Sequence, residues 1–246
     1  MATRPAAGGG RWVEVDPARL DRWLDGFAQR HGEVSVTAGP GPAEAGTSTR
    51  AGGEAGVGLI ADADHAVLHV VAADGAVARL HPPPGAVTTG TLAEFVAEAQ
   101  RPRRLGLLLA RQASVAAGLA DGPVLVQSKV ESSYVQSRTA AGGWSQQRFA
   151  RRRVNQAKAA AGTAADLVAR LLLPHRAELA ALVTGGDRRT VDTILADPRL
   201  APLAELRAPR LLDVAEPRRV VLEQALGQAR AVLILIREPG EVSSSG

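Results

Sequence analysis

The sequence predicts an α/β protein, with a mixed sheet covered by helices in its second half and a small α+β region before it. Three observations carry that prediction. Apolar residues in the first hundred positions fall in short segments of alternating or helical spacing, broken by Gly, Pro and Asp. After residue 103, three consecutive strand-like runs are followed by a long pattern of helical period and then by alternating strands and helices. Of the 246 residues, 46% are hydrophobic and only 3% aromatic, so the core must be built from Ala, Val and Leu. That length suffices for one large core or two small ones.

Composition also excludes several classes of chemistry. There is no cysteine, hence no disulfide, no thiolate metal site and no Cys nucleophile. The first ten residues lack the apolar run of a signal peptide. The longest apolar runs, 105–110 and 231–236, are far too short to span a bilayer. A cytoplasmic location with no membrane partner is therefore expected. The net charge is +4 and the pI near 10.5, which suits a polyanionic partner.

Taken in order, residues 1–10 read as a disordered tail and 11–102 as the α+β region. Trp12, Val13 and Val15 alternate like a short strand. Asp16 then reads as a helix N-cap with Pro17 at the first helical position. Leu20, Trp23, Leu24 and Phe27 follow at helical spacing until Gly32, and Val34 and Val36 resume a strand. Residues 39–56 are Gly, Ala, Pro and Thr of low complexity, a flexible loop by composition. Ala73, Asp74 and Gly75 signal a hairpin within 57–80. His65 and His69 have the spacing of two metal ligands on a helix. Their neighbours favour a strand, where four residues span ~13 Å, too far for one ion, so no metal is expected. Thr91 to Gln100 reads as a short helix with Leu92, Phe95 and Val96 inward.

Residues 103–238 form the second region, with 239–246 as a tail. Strands are predicted over 104–110, 114–119 and 123–137, with a tight turn at Asp121-Gly122. A buried strand at 179–183 leads through Thr184-Gly185-Gly186-Asp187 into a helix carrying Val191, Ile194 and Leu195. A strand, a Gly-rich turn and a helix can bind phosphate, but no Walker pattern is present, and a tight turn capped by Asp187 is the simpler reading. A strand at 210–214, a helix at 217–229 and a buried strand at 231–236 complete the chain.

Between the third of these strands and the first helix of this region lies the most unusual stretch. Gly142 and Gly143 precede Trp144 and a polar tip of Ser145, Gln146 and Gln147, and a helical pattern with clustered arginines follows to Pro174. No acidic residue occurs between Glu131 and Asp166, while Arg138, Arg148, Arg151, Arg152, Arg153 and Lys158 are cationic. At about 100° per residue, Val154, Ala157, Ala161, Ala164, Val168 and Leu171 form one apolar stripe. Arg148, Arg151, Arg152, Asn155 and Lys158 gather opposite it, and Arg153 falls beside the stripe. Arginine is common throughout, since 29 residues are cationic and only Lys129 and Lys158 are lysines. Cations at a helix N-terminus nevertheless oppose the macrodipole, so a compensating anion such as RNA phosphate is expected there.

Gly143-Trp144-Ser145-Gln146, on a loop between a β-hairpin and a long basic helix, resembles the Gly-x-x-Gln motif of the Vms-like release factor (VLRF) family, in particular its actinobacterial branch. That family is related to the middle, Gly-Gly-Gln domain of eukaryotic-type class I peptide-chain release factors. The resemblance covers roughly residues 103–238 and implies a three-layer, ribonuclease-H-like architecture. It further implies a protein that enters the A site of the large ribosomal subunit and separates a nascent chain from peptidyl-tRNA; a monomer is expected, with no cofactor. Gln146 then matches the functional glutamine, Gly143 the loop glycine and Ser145 the small polar residue before the glutamine. Trp144 is bulkier than the resemblance implies, and Gln147 offers a second glutamine. Arg148, Arg151, Arg152 and Lys158 would meet phosphates. Two chemistries stay open, hydrolysis of the peptidyl ester and cleavage of the tRNA near its 3′-CCA end. A non-catalytic ribosome or RNA-binding factor is the alternative from another class. No Gly-x-Ser-x-Gly elbow, dinucleotide fingerprint or carboxylate pair points elsewhere.

Overall fold

The computed structural model describes residues 3–38, 68–87, 90–111, 114–132 and 145–240, with the backbone only at 38 and 145–158. Its internal contacts divide the chain into two units, residues 1–102 together with 227–246, and residues 103–226.

The first unit is a six-stranded antiparallel sheet with two helices. Its strands are β1 (Thr3–Pro5), β2 (Arg11–Val15), β3 (Val34–Ala38), β4 (Leu68–Ala72), β5 (Val77–His81) and β11 (Val232–Arg237), in the order β1-β2-β11-β5-β4-β3. Helix α1 (Leu20–His31) starts after a 3-10 turn that Asp16 caps, its Oδ1 accepting from the Ala18 N–H at 2.9 Å. It ends where Gly32 takes φ +89°. Helix α2 (Leu92–Gln100) opens with a capping box of Thr91 and Glu94. The core joins Trp23 and Phe27, stacked 5.5 Å apart, and Phe95 to the inward residues Val13, Val15, Leu68, Val70, Leu80 and Ile234. His69 lies on β4, opposite Thr37, as its apolar neighbours predict.

Two expectations are corrected here. The segment expected as a disordered tail carries a strand from Thr3. β1 pairs with β2, Arg4 opposite Trp12, through a turn in which Gly8, Gly9 and Gly10 take φ of 83–93°, a region that L side chains rarely enter. The final strand does not join the sheet of residues 103–226. β11 runs between β2 and β5, with Ile234 opposite both Val13 and Leu80. Its apolar run Val-Leu-Ile-Leu-Ile is buried throughout and would suit the interior of either sheet. Only long-range pairing decides between them.

The second unit is built on a mixed sheet. β6 (Arg104–Arg111), β7 (Ser114–Asp121) and β8 (Val124–Ser132) form an antiparallel meander. β9 (Ala181–Gly186) adds parallel to β6, and β10 (Arg207–Leu212) adds parallel to β9, giving the order β10-β9-β6-β7-β8. A three-stranded meander extended by two parallel strands is the ribonuclease-H-like arrangement. Helices α3 (Ser145–Leu172), α4 (Arg188–Leu195) and the short α5 (Ala201–Ala204) supply one covering face. On the other face α6 (Arg219–Arg230) brings Leu222 against Gly118, so the strands lie between two helical layers. The predicted stripe of α3 packs inward where its side chains are described. Ala164 and Val168 are buried, and Ala161 and Leu171 are partly buried against the same cluster.

Candidate release loop and basic helix

The sheet of the second unit has one edge at which β6, β9 and β10 all end, because they are parallel. β8 also ends there, since Ser132 pairs with Ser114 and Ser114 with Arg111. The segment joining β8 to α3 therefore leaves from this carboxyl edge. In open sheets with parallel strands this edge is where ligand-binding loops collect.

Helix α3 is longer than the sheet it covers. Its 28 residues span about 42 Å, against about 26 Å for the eight residues of β6. The end that is seated is the C-terminal one. Leu172 Cδ1 stands 3.3 Å from the position a Cβ on Gly106 would occupy, and Leu167, Val168 and Leu172 are buried. From Gly106 to Arg111 the strand rises about 17 Å, which a helix following it covers in about eleven residues. Counting back from Leu172 reaches Ala161, the first residue of α3, among those whose side chains are described, to pack on the core. Residues 145–160, which precede that point, add about 24 Å of helix.

Polar contacts reinforce the seated half. Arg199, on the 3-10 turn Pro198–Leu200, bridges Asp166 of α3 and Asp197, both at 2.7 Å. Arg170, in the last turn of α3, lies 3.7 Å from Glu131 of β8, and a cation there also suits the negative end of the helix dipole. Bonded by the Arg199 side chain and then by its backbone N–H, the Asp197 carboxyl is held at about 2, below its ordinary 3.8.

The residues singled out in the sequence fall on or beside the N-terminal half of α3. Gly142, Gly143, Trp144 and Arg138 lie outside the described residues. Helix α3 begins at Ser145, so Ser145, Gln146 and Gln147 form its first turn rather than a tip before it. Arg148, Arg151, Arg152, Arg153 and Lys158 follow on the same helix, and no acidic residue stands in its first turn. The side chains of 145–158 lie outside the described residues. The Gly185-Gly186 turn is the tight turn predicted. Asp187 caps α4, accepting from the Arg189 N–H at 3.0 Å and the Thr190 hydroxyl at 2.9 Å. Gly186 takes φ +93°, and a Cβ there would lie 2.2 Å from the Ala110 carbonyl oxygen. Sequence reasoning missed that β9 adds parallel to β6, and hence that α4 starts at the same edge from which α3 departs. Among the described residues no three His, Asp or Glu side chains are grouped to hold a metal. None of the described helices is long and apolar enough to cross a membrane.

A mixed sheet with two helical layers, and a 28-residue helix whose first turn carries Ser145, Gln146 and Gln147, is the setting in which the sequence match falls. Residues 103–235, more than half of the chain, match the Actinobacteria/chloroflexi VLRF1 release factor family, and the chain belongs to that family. No curated protein matches the sequence. Among the solved structures that are similar, two share 16% identity with this chain. One is an archaeal translation termination factor, aRF1, covering 68% of this chain and 50% of that one with a TM-score of 0.38. The other is an archaeal protein, covering 65% and 51% with a TM-score of 0.35. The chain spans about half the length of each.

Proposed function

We propose that this protein frees nascent chains from peptidyl-tRNA on stalled ribosomes or their large subunits, with Gln146 as the catalytic residue. The observation that carries the reading is the match to the VLRF1 release factor family over a unit whose 28-residue α3 holds Gln146 and the arginines on one continuous helix. A glutamine amide is neither usefully acidic nor basic at neutral pH, so Gln146 is not a general base. Its side chain positions a water and donates to the developing oxyanion. The first turn of a helix adds backbone N–H groups without a carbonyl partner of their own. In the ester reaction the water oxygen bonds to the carbonyl carbon, the tRNA 3′ oxygen leaves and takes up a proton, and a peptide carboxylate is released. Gly142 and Gly143 allow close backbone approach to the reacting ester. Arg148, Arg151, Arg152 and Lys158 neutralise tRNA or ribosomal phosphates in the A site, which offsets the cost of placing cations at a helix N-terminus. The protein acts as a monomer in the cytoplasm, and no step calls for a metal or cofactor.

Cleavage of the tRNA near its 3′-CCA end uses the same contacts: a ribose 2′-hydroxyl loses its proton and attacks the adjacent phosphorus, the 5′ oxygen of the next nucleotide leaves and takes up a proton, a 2′,3′-cyclic phosphate remains, and the arginines meet the phosphorane charge. The experiment is incubation with large subunits carrying labelled peptidyl-tRNA, followed by analysis of both products. Ester hydrolysis yields a free peptide and full-length tRNA, whereas strand cleavage yields a peptide still bearing nucleotides. Tight binding with neither product would leave a non-catalytic ribosome-binding factor.

A further inference from the structure

Most arginines of the second unit are already occupied. Arg104 bonds Glu178 and Asp121, Arg176 pairs with Glu205, Arg199 with Asp166 and Asp197, and Arg207 with Asp192. Arg111 donates to the Val214 carbonyl at 2.6 Å, and Arg218 and Arg219 pair with Glu216 and Glu223. Arg103, Arg170 and Arg210 have partners as well. Among the second unit's arginines whose side chains are described, Arg188 and Arg189 alone make no side-chain hydrogen bond or ion pair with another described residue, and both are exposed. In a chain so rich in exposed ion pairs, two adjacent guanidinium groups left to solvent form a distinct feature.

Their place in the fold gives them a use. They open α4, which starts at the carboxyl edge, because the Asp187 N–H donates to the Ala110 carbonyl at 2.7 Å. Helices α3 and α4 pack on the same face of the sheet and against each other, and both run from that edge back along the sheet. Packed helices have axes about 8–10 Å apart. Arg188 and Arg189 therefore stand beside the point, near Ala161, at which α3 begins to pack on the core, and next to the segment that carries Lys158 and the arginines. The dipole of α4 disfavours cations in its first turn, so ordinary helix stabilisation does not account for them.

We infer that Arg188 and Arg189 are a second contact for the RNA backbone, extending the cationic track of α3 across the edge of the sheet onto α4. The phosphates bound there lie on the RNA that α3 engages, about one helix diameter from it. The inference rests on the release-factor reading above, since it takes RNA as the partner of α3. Direct contact with phosphate makes the effect electrostatic, so retaining the charge should retain most of the binding.

The test measures affinity for large ribosomal subunits carrying peptidyl-tRNA over a series of KCl concentrations at fixed magnesium. Native protein is compared with Arg188→Ala/Arg189→Ala and Arg188→Lys/Arg189→Lys. Two lost phosphate contacts should flatten the slope of log affinity against log salt by roughly 1.5, with the lysine pair close to native. A native slope retained in the alanine pair overturns this contact and leaves the release-factor reading intact. Native protein whose binding ignores salt overturns both.

Discussion

Leu172, the last residue of α3, lies against Gly106 of β6, the absent side chain of the glycine leaving the space that the leucine Cδ1 fills. This contact fixes the lower end of a helix whose upper end carries the proposed chemistry. Leu172 is fully buried, so Leu172→Ala should cost about 2–5 kcal/mol through lost contacts and a residual cavity. Denaturant unfolding of the second unit reads the loss. A change below about 1 kcal/mol would mean that α3 is anchored elsewhere.

Gly186 and Gly162 make opposite predictions for the same substitution. At Gly186, with φ +93° and the Ala110 carbonyl oxygen 2.2 Å from the added Cβ, alanine should destabilise by about 1–3 kcal/mol. At Gly162, inside α3 with nothing within 4 Å of the added Cβ, alanine should stabilise by about 0.5–1 kcal/mol. Equal shifts in the two unfolding midpoints would contradict the geometry of the β9–α4 turn.

Local signals revealed the elements, and long-range pairing hid their arrangement. The Asp16 and Asp187 caps, the Ala73-Asp74-Gly75 turn and the 3.6-residue stripe of α3 all depend on neighbours within a few positions, and all are legible in the sequence. β11 is not, because a strand buried on both faces carries no mark of which sheet receives it. β1 was hidden for a different reason. Gly8, Gly9 and Gly10 read as low complexity, yet their positive φ values turn the chain back onto β2. Of the candidate site, the helix that carries Gln146 and the arginines was legible, while the loop before it lies outside the described residues. The seating of Leu172 on Gly106, which fixes the C-terminal end of that helix, is contained in no local pattern.

The Asp197 carboxyl gives the account a pH-dependent handle. Its folded value of about 2 lies below the ordinary 3.8, so its contribution to stability is fully present above 3.8 and is lost as pH falls through about 2. Arg199→Ala removes the guanidinium that contributes most to this shift. The Asp197 titration, followed by NMR, should then move upward toward 3.8, while the Arg199 backbone N–H retains part of the shift. A midpoint still at about 2 would show that Arg199 does not hold the carboxylate in solution.

Charge on the N-terminal half of α3 should govern binding rather than stability. Arg151→Ala with Arg152→Ala should leave the unfolding free energy within about 0.5 kcal/mol of native, while weakening ribosome binding and flattening its salt dependence. A large stability loss with unchanged binding would place these arginines in an internal role.

The most direct test is peptide release by Gln146→Ala on large subunits carrying labelled peptidyl-tRNA, with Gln147→Ala alongside. The account predicts that Gln146→Ala binds like the native protein and releases peptide about 100-fold or more slowly, the scale expected for loss of an oxyanion donor. Gln147→Ala should retain most of the activity. Native release rates in Gln146→Ala would contradict the catalytic assignment of that glutamine.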